Sequence, residues 1–249
     1  MIDLHSHILP HVDDGAKSTA VARELLHYES EQGIKELVFT PHYYGKRSLQ
    51  RFLEIRSHEA ERMKKYLPEN LRTRLGAEVH VTGTNDPTDD ELCTLAIEGT
   101  KCVLLEFPVH EKWSSRLFER LSIFMADTGY TPIIAHVERY EQVLKDPSLL
   151  TTLAQMGCLL QINAGAFLKR QTKRFALAAL KKGLVHALGS DAHDLEERRP
   201  RFTEAKAVVD KAGLGSLWEE VQRDMRRILA GEIPQRSFGI IRRFMGFYF

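Results

Sequence analysis

Short β-rich runs alternate with longer amphipathic stretches along this 249-residue chain, and at least five of the runs carry a histidine or a carboxylate within about two residues of their C-terminal ends. The runs fall at 1–5, 36–40, 73–81, 102–107, 132–136, 158–163 and 186–190. Several are almost continuously apolar, as in Val103-Leu104-Leu105 and Ile133-Ile134-Ala135, the pattern of strands covered on both faces. Between them, 18–32, 49–66, 89–96, 114–127, 147–156 and 172–182 read as helices, followed by 201–212 and 214–229. Ser18, Asp89 and Ser114 are suited to N-caps, and Gly33, Gly129, Gly157 and Gly183 fall where helices should stop. Strands alternating with helices imply parallel βαβ units. An open sheet would spread the polar strand ends, whereas a barrel gathers them around one mouth. The expected fold is therefore a (β/α)7-type barrel with its site at the C-terminal ends of the strands.

One large core suits a chain of this length, and no low-complexity linker divides it, so residues 1–249 are expected to form a single domain. The 35 Lys+Arg residues balance 34 Asp+Glu residues, which argues against a nucleic-acid footprint. No stretch approaches the roughly 20 apolar residues of a membrane span, and no basic segment precedes an apolar run at the N-terminus. The expectation is a soluble, cytoplasmic protein.

The polar strand ends are nearly all of metal-ligand type. In an extended strand, residues i and i+2 share a face, so His5 and His7 can grip one ion, and Asp191 and His193 can do the same. His42, Glu78, Glu106 and His136 stand at further strand ends. Ordinary polar residues at strand-to-loop junctions would account for two or three of these but poorly for eight. Asp14 is ambiguous, because Asp13-Asp14-Gly15 also reads as a turn. His80 shares a face with Glu78 and is either a ligand or a partner of one. His11, His27, His58, His110 and His186 read as bystanders. The donor set is nitrogen and oxygen without thiolate, which suits Mn, Fe or Zn and argues against a structural zinc site.

The strings HSHILPHVDDGAKS, TPHYY, GAEV, LLEFP, HVERY and GSDAHDLEERRP, in that order, resemble the PHP (polymerase and histidinol phosphatase) superfamily. Within it the chain most resembles the bacterial capsule-associated protein-tyrosine phosphatases, over about four-fifths of its length. That resemblance implies a distorted (β/α)7 barrel with three divalent ions, Mn²⁺ by preference. It assigns His5, His7, Glu78 and Asp191 to one ion and Asp14, His42 and His193 to a second. Glu78, Glu106 and His136 would hold a third, with Glu78 bridging. It also implies a phosphotyrosine protein as substrate, namely a bacterial tyrosine kinase that governs capsule or exopolysaccharide synthesis. Two departures fall at the rim: His11 replaces a usually smaller residue, and Asp194 stands where Asn is common.

Three divalent ions against Asp14, Glu78, Glu106 and Asp191 would leave a site of about +2, suited to a phosphate dianion, and would lower the pKa of bound water toward about 7. Taken alone, Arg139 and Arg198 would read as solvated or ion-paired surface arginines; the resemblance makes them the candidate catalytic residues, each presenting a planar fork to phosphate oxygens, and Arg199 competes with Arg198 for that role. A cysteine phosphatase needs an arginine six residues after its cysteine, but Gly99, Pro108 and Ala164 follow Cys93, Cys102 and Cys158 at that spacing. Cys102 and Cys158 lie in apolar runs and read as buried structural residues.

Two alternatives keep some of these features. A small-molecule phosphatase such as one for histidinol phosphate would share every ligand. A non-catalytic binding module would be expected to have lost ligands, and none is missing. The C-terminal run from Ile240 to Phe249 is basic and aromatic. It is expected to pack on the barrel, with peripheral contact to anionic lipid as the alternative.

Overall fold

The computed structural model describes residues 1–45, 48–82, 87–110, 112–244 and 246–248. The strands are β1 (Ile2–Ser6), β2 (Glu36–Phe39), β3 (His42–Tyr43), β4 (Arg72–Leu75), β5 (Glu78–His80), β6 (Cys102–Glu106), β7 (Thr131–Ile134), β8 (Leu159–Asn163) and β9 (Ala187–Gly189). All pair in parallel: β1 with β2, β2 with β4, β3 with β5, and then β5 through β9 in chain order. The ring closes where the chain leaving β9 meets the end of β1, as Asp191 N–H donates to His5 O at 2.8 Å and His7 N–H to Ala192 O at 3.0 Å. The expected parallel barrel is thus present.

The 73–81 run differs from expectation, because it is two strands rather than one. β4 pairs with β2, whereas β5 pairs with β3 and β6. The break lies at Gly76-Ala77 and is matched by one at Thr40-Pro41 in the neighbouring stave. Proline has no N–H to donate to a ladder. Across the break, Gly76 N–H reaches Phe39 O at 2.8 Å, and Glu78 N–H lies between Thr40 O and Pro41 O at 3.3 and 3.1 Å. Each kinked stave restarts directly at a polar residue, so that His42 pairs in register with Glu78 and His80 with Glu106.

Helices α1 (Thr19–Glu31), α2 (Leu49–Met63), α3 (Asp89–Thr94), α4 (Ser115–Thr128), α5 (Glu141–Lys145), α6 (Ser148–Gln155), α7 (Lys173–Lys181), α8 (Phe202–Lys211) and α9 (Gly215–Leu229) complete the chain. Ser18 caps α1, accepting from Val21 N–H. Asp89 is not the cap of α3. Thr88 is, in a reciprocal capping box with Glu91, while Asp89 sits in the first turn and pairs with Arg120. Ser114 occupies the cap position of α4 without a side-chain bond. Gly33, Gly129, Gly157 and Gly183 all follow their helices at positive φ. α9 buries Trp218, Val221, Met225 and Ile228 under the N-terminal ends of the strands, where Gln222 Oε1 accepts from Ile2 N–H at 2.8 Å. No helix among the described residues is long and apolar enough to cross a membrane.

The C-terminal run forms a small hairpin of β10 (Arg243–Phe244) and β11 (Phe247–Tyr248). Ile241 is buried, and Tyr248 packs edge-on against Phe175 and donates its hydroxyl to Leu144 O at 2.9 Å. The tail therefore touches the barrel through Ile241 and Tyr248, while Arg242, Arg243 and Gly246 are exposed. Ile240 and Phe247 remain exposed, while Met245 and Phe249 lie outside the described residues.

Gly189 is where β9 passes closest to β1. A methyl group there would meet His5 Cβ at 2.5 Å and Gln161 Nε2 at 2.8 Å. Neither can retreat, since both are fully buried. Gly189→Ala is expected to cost about 1–3 kcal/mol by overpacking, read as a drop of several degrees in thermal melting; an unchanged Tm would show that the β1–β9 seam yields.

Candidate metal centre

The strand ends deliver the nine expected ligand residues to one place. β1 carries His5 and leads directly into His7. Both imidazoles are fully buried, and their Nε2 atoms lie 3.0 Å apart. Their outer nitrogens are fixed: His5 Nδ1 is 3.1 Å from Gln161 Oε1, and His7 Nδ1 is 2.6 Å from Asp13 Oδ2. A bonded outer nitrogen leaves the other aimed inward, as metal-ligating histidines require. The loop that brings Asp13 back is held by Gly15, where a methyl group would overlap His7 O at 2.0 Å.

Glu78 lies at the centre with no exposed surface. Its Oε2 is 3.0 Å from His42 Nδ1 and 3.2 Å from both His5 Nε2 and His7 Nε2. Its Oε1 is 2.8 Å from His136 Nε2, which is also 3.4 Å from Glu106 Oε1. Asp191 Oδ1 stands 3.5 Å from His7 Nε2 and 3.6 Å from His193 Nδ1. Asp14 Oδ1 is 3.7 Å from both His42 Nε2 and His193 Nε2, although its side chain is largely exposed. Among the described residues, three groups of donors are close enough to share an ion: His7, Asp14, His42 and His193; His5, His7 and Glu78; and His42, Glu78 and Glu106. The partition differs from the expected one, because His7 and His42 each belong to two groups.

The residues fit divalent cations. Glu78 Oε2, His42 Nδ1 and His193 Nε2 are buried polar atoms that find no hydrogen-bond partner among the described residues, although Glu78 Oε2 is ringed by imidazole nitrogens. Buried polar atoms left unpaired are costly, and cations held by the donor groups to which they belong would satisfy them. Backbone strain marks the same place. Only three non-glycine residues among those described have positive φ, and they include His136 (φ 29) and Asp191 (φ 54). Such conformations persist where surrounding structure enforces them. The third is His11 (φ 65), in the loop before Asp13.

The electrostatics follow from the packing. Burial alone would raise the Glu78 and Asp191 carboxyls, but the surrounding histidines hold both far below the usual range. Burial opposes ionisation of Glu106 too, yet His136 and His80 hold it down to about 2. Burial would depress His7 and His136, but Asp13 and Glu78 carry His7 to about 10, and Glu78 and Glu106 carry His136 to about 9. His193 goes the other way, to about 3, through burial and the neighbouring His7; burial and His7 also lower His42.

Arg139 and Arg198 flank the cluster on Asp191, at 3.3 Å from Oδ2 and 2.6 Å from Oδ1. Arg198 is presented by a turn in which Asp194 Oδ1 accepts from Arg198 N–H at 3.0 Å, which gives the unusual Asp194 a positional role. Arg199 points elsewhere, to Glu204 at 3.2 Å. His80 is a partner of Glu106, 3.3 Å from its Oε2. His27, His58 and His110 are exposed beside Glu31, Glu59 and Glu141, and His186 is a buried acceptor for Leu160 N–H. Cys102 and Cys158 are buried, and burial pushes both thiols up to about 12.

Sequence reasoning passed over three contributors. Asp13 orients His7. Gln161 Oε1 accepts from His136 N–H at 2.6 Å as well as facing His5. Asn163 Nδ2 donates to Asp191 Oδ2 at 3.0 Å. Gln161 and Asn163 were visible as polar residues at i and i+2 in the otherwise apolar end of a strand.

Two outcomes follow. Asp13→Asn weakens the hold on the His7 ring and is expected to reduce metal affinity about 10- to 100-fold, measured by competition with a chelator. In the metal-free protein, the raised pKa values of His7 and His136 contribute stability that is complete below about 6.5 and lost as pH rises through 9 to 10. The lowered values of His42 and His193 penalise the fold as pH falls below about 6.5. Melting in chelator should therefore peak near pH 7, and saturating divalent metal should abolish the alkaline fall, because ligation displaces the protons. A metal-free Tm still rising at pH 9.5 would contradict this.

Comparison with known proteins gives a consistent set. The family described as capsular polysaccharide synthesis, CpsB/CapC, matches residues 1–225. The tyrosine-protein phosphatase YwqE of Bacillus subtilis is 31% identical over 218 residues, covering 85% of this chain and 84% of that protein. The tyrosine-protein phosphatase CpsB of Streptococcus pneumoniae is 30% identical over 232 residues, covering 85% and 90%. A solved structure from work on YwqE and CpsB, described as metal-dependent tyrosine phosphatases, superposes with a TM-score of 0.84 at 27% identity, over 98% of this chain and 100% of that one.

Proposed function

The chain belongs to the CpsB/CapC family of capsular polysaccharide synthesis, and we propose from this that it is a metal-dependent protein-tyrosine phosphatase whose nine strand-end ligands hold three divalent ions, Mn²⁺ by preference. The ligands are His5, His7, Asp14, His42, Glu78, Glu106, His136, Asp191 and His193, in one PHP domain spanning residues 1–249. The observation that carries this reading is the buried Glu78 carboxylate, which faces His5, His7, His42 and His136 at 2.8–3.2 Å with one oxygen unsatisfied. When bound, divalent ions supply positive charge for the phosphoryl oxygens and lower the pKa of water so that it can attack at neutral pH.

The chain's own residues do the rest. Gln161 and Asp13 fix the imidazoles of His5 and His7, so the ligand geometry is set before substrate arrives. Arg139 and Arg198 are held by Asp191 with their guanidinium groups partly exposed. They are placed to engage the non-bridging phosphate oxygens through a planar fork. With Asp13 counted beside the four ligand carboxylates, three divalent ions would leave the site at about +1, still attractive to a dianion. The tyrosine phenolate leaves with a pKa near 10, so expulsion demands less proton donation than an alkoxide would. A thiol nucleophile has no role, since burial raises the thiols of Cys93, Cys102 and Cys158. The proposed physiological substrate is a bacterial tyrosine kinase controlling capsule or exopolysaccharide synthesis, supported by the family's description.

The test is hydrolysis of a phosphotyrosine peptide by purified protein, with chelator and then with Mn²⁺ restored. Activity is expected to vanish and return. Arg139→Ala should lower kcat/KM about 100-fold, in line with removal of one preorganised charge-stabilising group, with metal content at saturating Mn²⁺ unchanged by elemental analysis because Arg198 and Asn163 still hold Asp191. Turnover that persists in chelator would overturn the metal mechanism; a metal-replete protein inert on phosphotyrosine but active on histidinol phosphate would move the activity to small phosphate esters.

A further inference from the structure

A cleft of about 570 Å³ adjoins the metal cluster. Asp191, Arg139 and Arg198, which belong to the centre, share it with Lys169, Arg199 and Arg201, which lie outside the cluster. The three additional cations differ in how they are engaged. Arg199 is committed, paired with Glu204 at 3.2 Å and lying over the Tyr28 ring at 5.7 Å. Lys169 and Arg201 have no ion pair among the described residues. Their backbones are nonetheless pinned: Lys169 O accepts from Thr172 N–H and Lys173 N–H, and Arg201 O accepts from Ala205 N–H at the start of α8.

The cleft's carboxylates do not neutralise these two side chains. Asp191 is engaged by Arg139, Arg198 and Asn163. Glu138 is buried and faces Asn163 N–H. Only Glu197 is exposed. A substrate whose phosphate sits at the centre therefore continues into a cleft with cationic capacity left over. A volume of this size falls within the range of ligand pockets and has room for a side chain next to the phosphorylated one.

We propose that this cleft reads the residues flanking phosphotyrosine and selects peptides that carry a carboxylate beside it, with Lys169 and Arg201 as the specificity-determining contacts. The proposal rests on the phosphatase reading above and adds a substrate class to it. Both contacts are solvent-accessible, so their effect is modest and screened by salt.

The test uses the metal-loaded full chain and two phosphotyrosine peptides that differ only in Glu or Gln on either side of the phosphotyrosine. p-Nitrophenyl phosphate, which has no flanking residues, is the control. At low salt the Glu peptide is expected to show about tenfold higher kcat/KM, shrinking in 0.5 M NaCl, and Lys169→Ala and Arg201→Ala should each remove about three- to fivefold of that preference. The double variant should abolish the preference and leave turnover of p-nitrophenyl phosphate unchanged. Equal rates on the two peptides, a preference that survives the double variant, or a parallel loss on p-nitrophenyl phosphate would each overturn the proposal. Should the milder pair Lys169→Gln and Arg201→Gln be needed to keep the fold, the same criteria apply. Cleavage without a Glu preference defeats this proposal alone, whereas a metal-replete protein that cleaves neither peptide nor p-nitrophenyl phosphate defeats the phosphatase reading and this one with it.

Discussion

Glu78 is a carboxylate without solvent, and the mouth of the barrel is arranged around its charge. An ionised carboxylate buried alone would take up a proton instead. Here four imidazoles face it at 2.8–3.2 Å, and its pKa falls well below the usual range despite burial. The imidazoles come from four separate places in the chain: the end of β1, the loop just beyond it, β3 and the end of β7. Their convergence requires the strands to end at one level, which a closed ring of parallel strands provides. The same convergence makes protons and metal ions competitors for one set of atoms, since His7 and His136 hold protons tightly when nothing else neutralises the carboxylates.

The kinks in two staves serve that convergence. A regular strand through 73–81 would continue the pleat set by its pairing with β2. Interrupting it at Gly76-Ala77, opposite Thr40-Pro41, lets β5 leave β2 and pair with β3 on one side and β6 on the other. Glu78 then falls in register with His42 and with Leu104, and His80 with Glu106. The closing seam is equally local. Gly189 allows β9 to approach His5, and Asp3 Oδ1 ties the two sides by accepting from His5 N–H and Ser190 N–H.

Much of this was legible because period-2 spacing is a geometric property of strands. His5/His7 and Asp191/His193 announced themselves as pairs, and the alternation of elements with polar strand ends implied the barrel. Three things were not legible. The 73–81 run has no proline of its own, and the proline that marks the kink lies some thirty residues away in the neighbouring stave. Two adjacent aspartates were readable as a turn or a ligand, and the structure uses both: Asp13 is turned inward to His7, and Asp14 is left exposed within reach of His42 and His193. Gln161 is neither a charge nor a metal-ligand type, so its polarity in an apolar strand end gave no role, yet its one oxygen serves both His5 and the backbone of His136.

On the proposed reading, Asp191 joins the metal ligands to the arginines that would capture phosphate. It lies at positive φ and so turns the chain sharply as it leaves β9. One carboxylate thereby faces His5, His7 and His193 on the inner side and Arg139, Arg198 and Asn163 on the outer side. Each outer partner helps fix the carboxylate that the inner ones face, and the carboxylate in turn holds two guanidinium groups that line the cleft. A lysine at either arginine position could neutralise Asp191, but its single ammonium could not engage the carboxylate and still present a planar fork to phosphate. Binding energy and chemistry are thus coupled through one side chain, and a change that disturbs Asp191 should perturb ion binding and phosphate capture together rather than either alone.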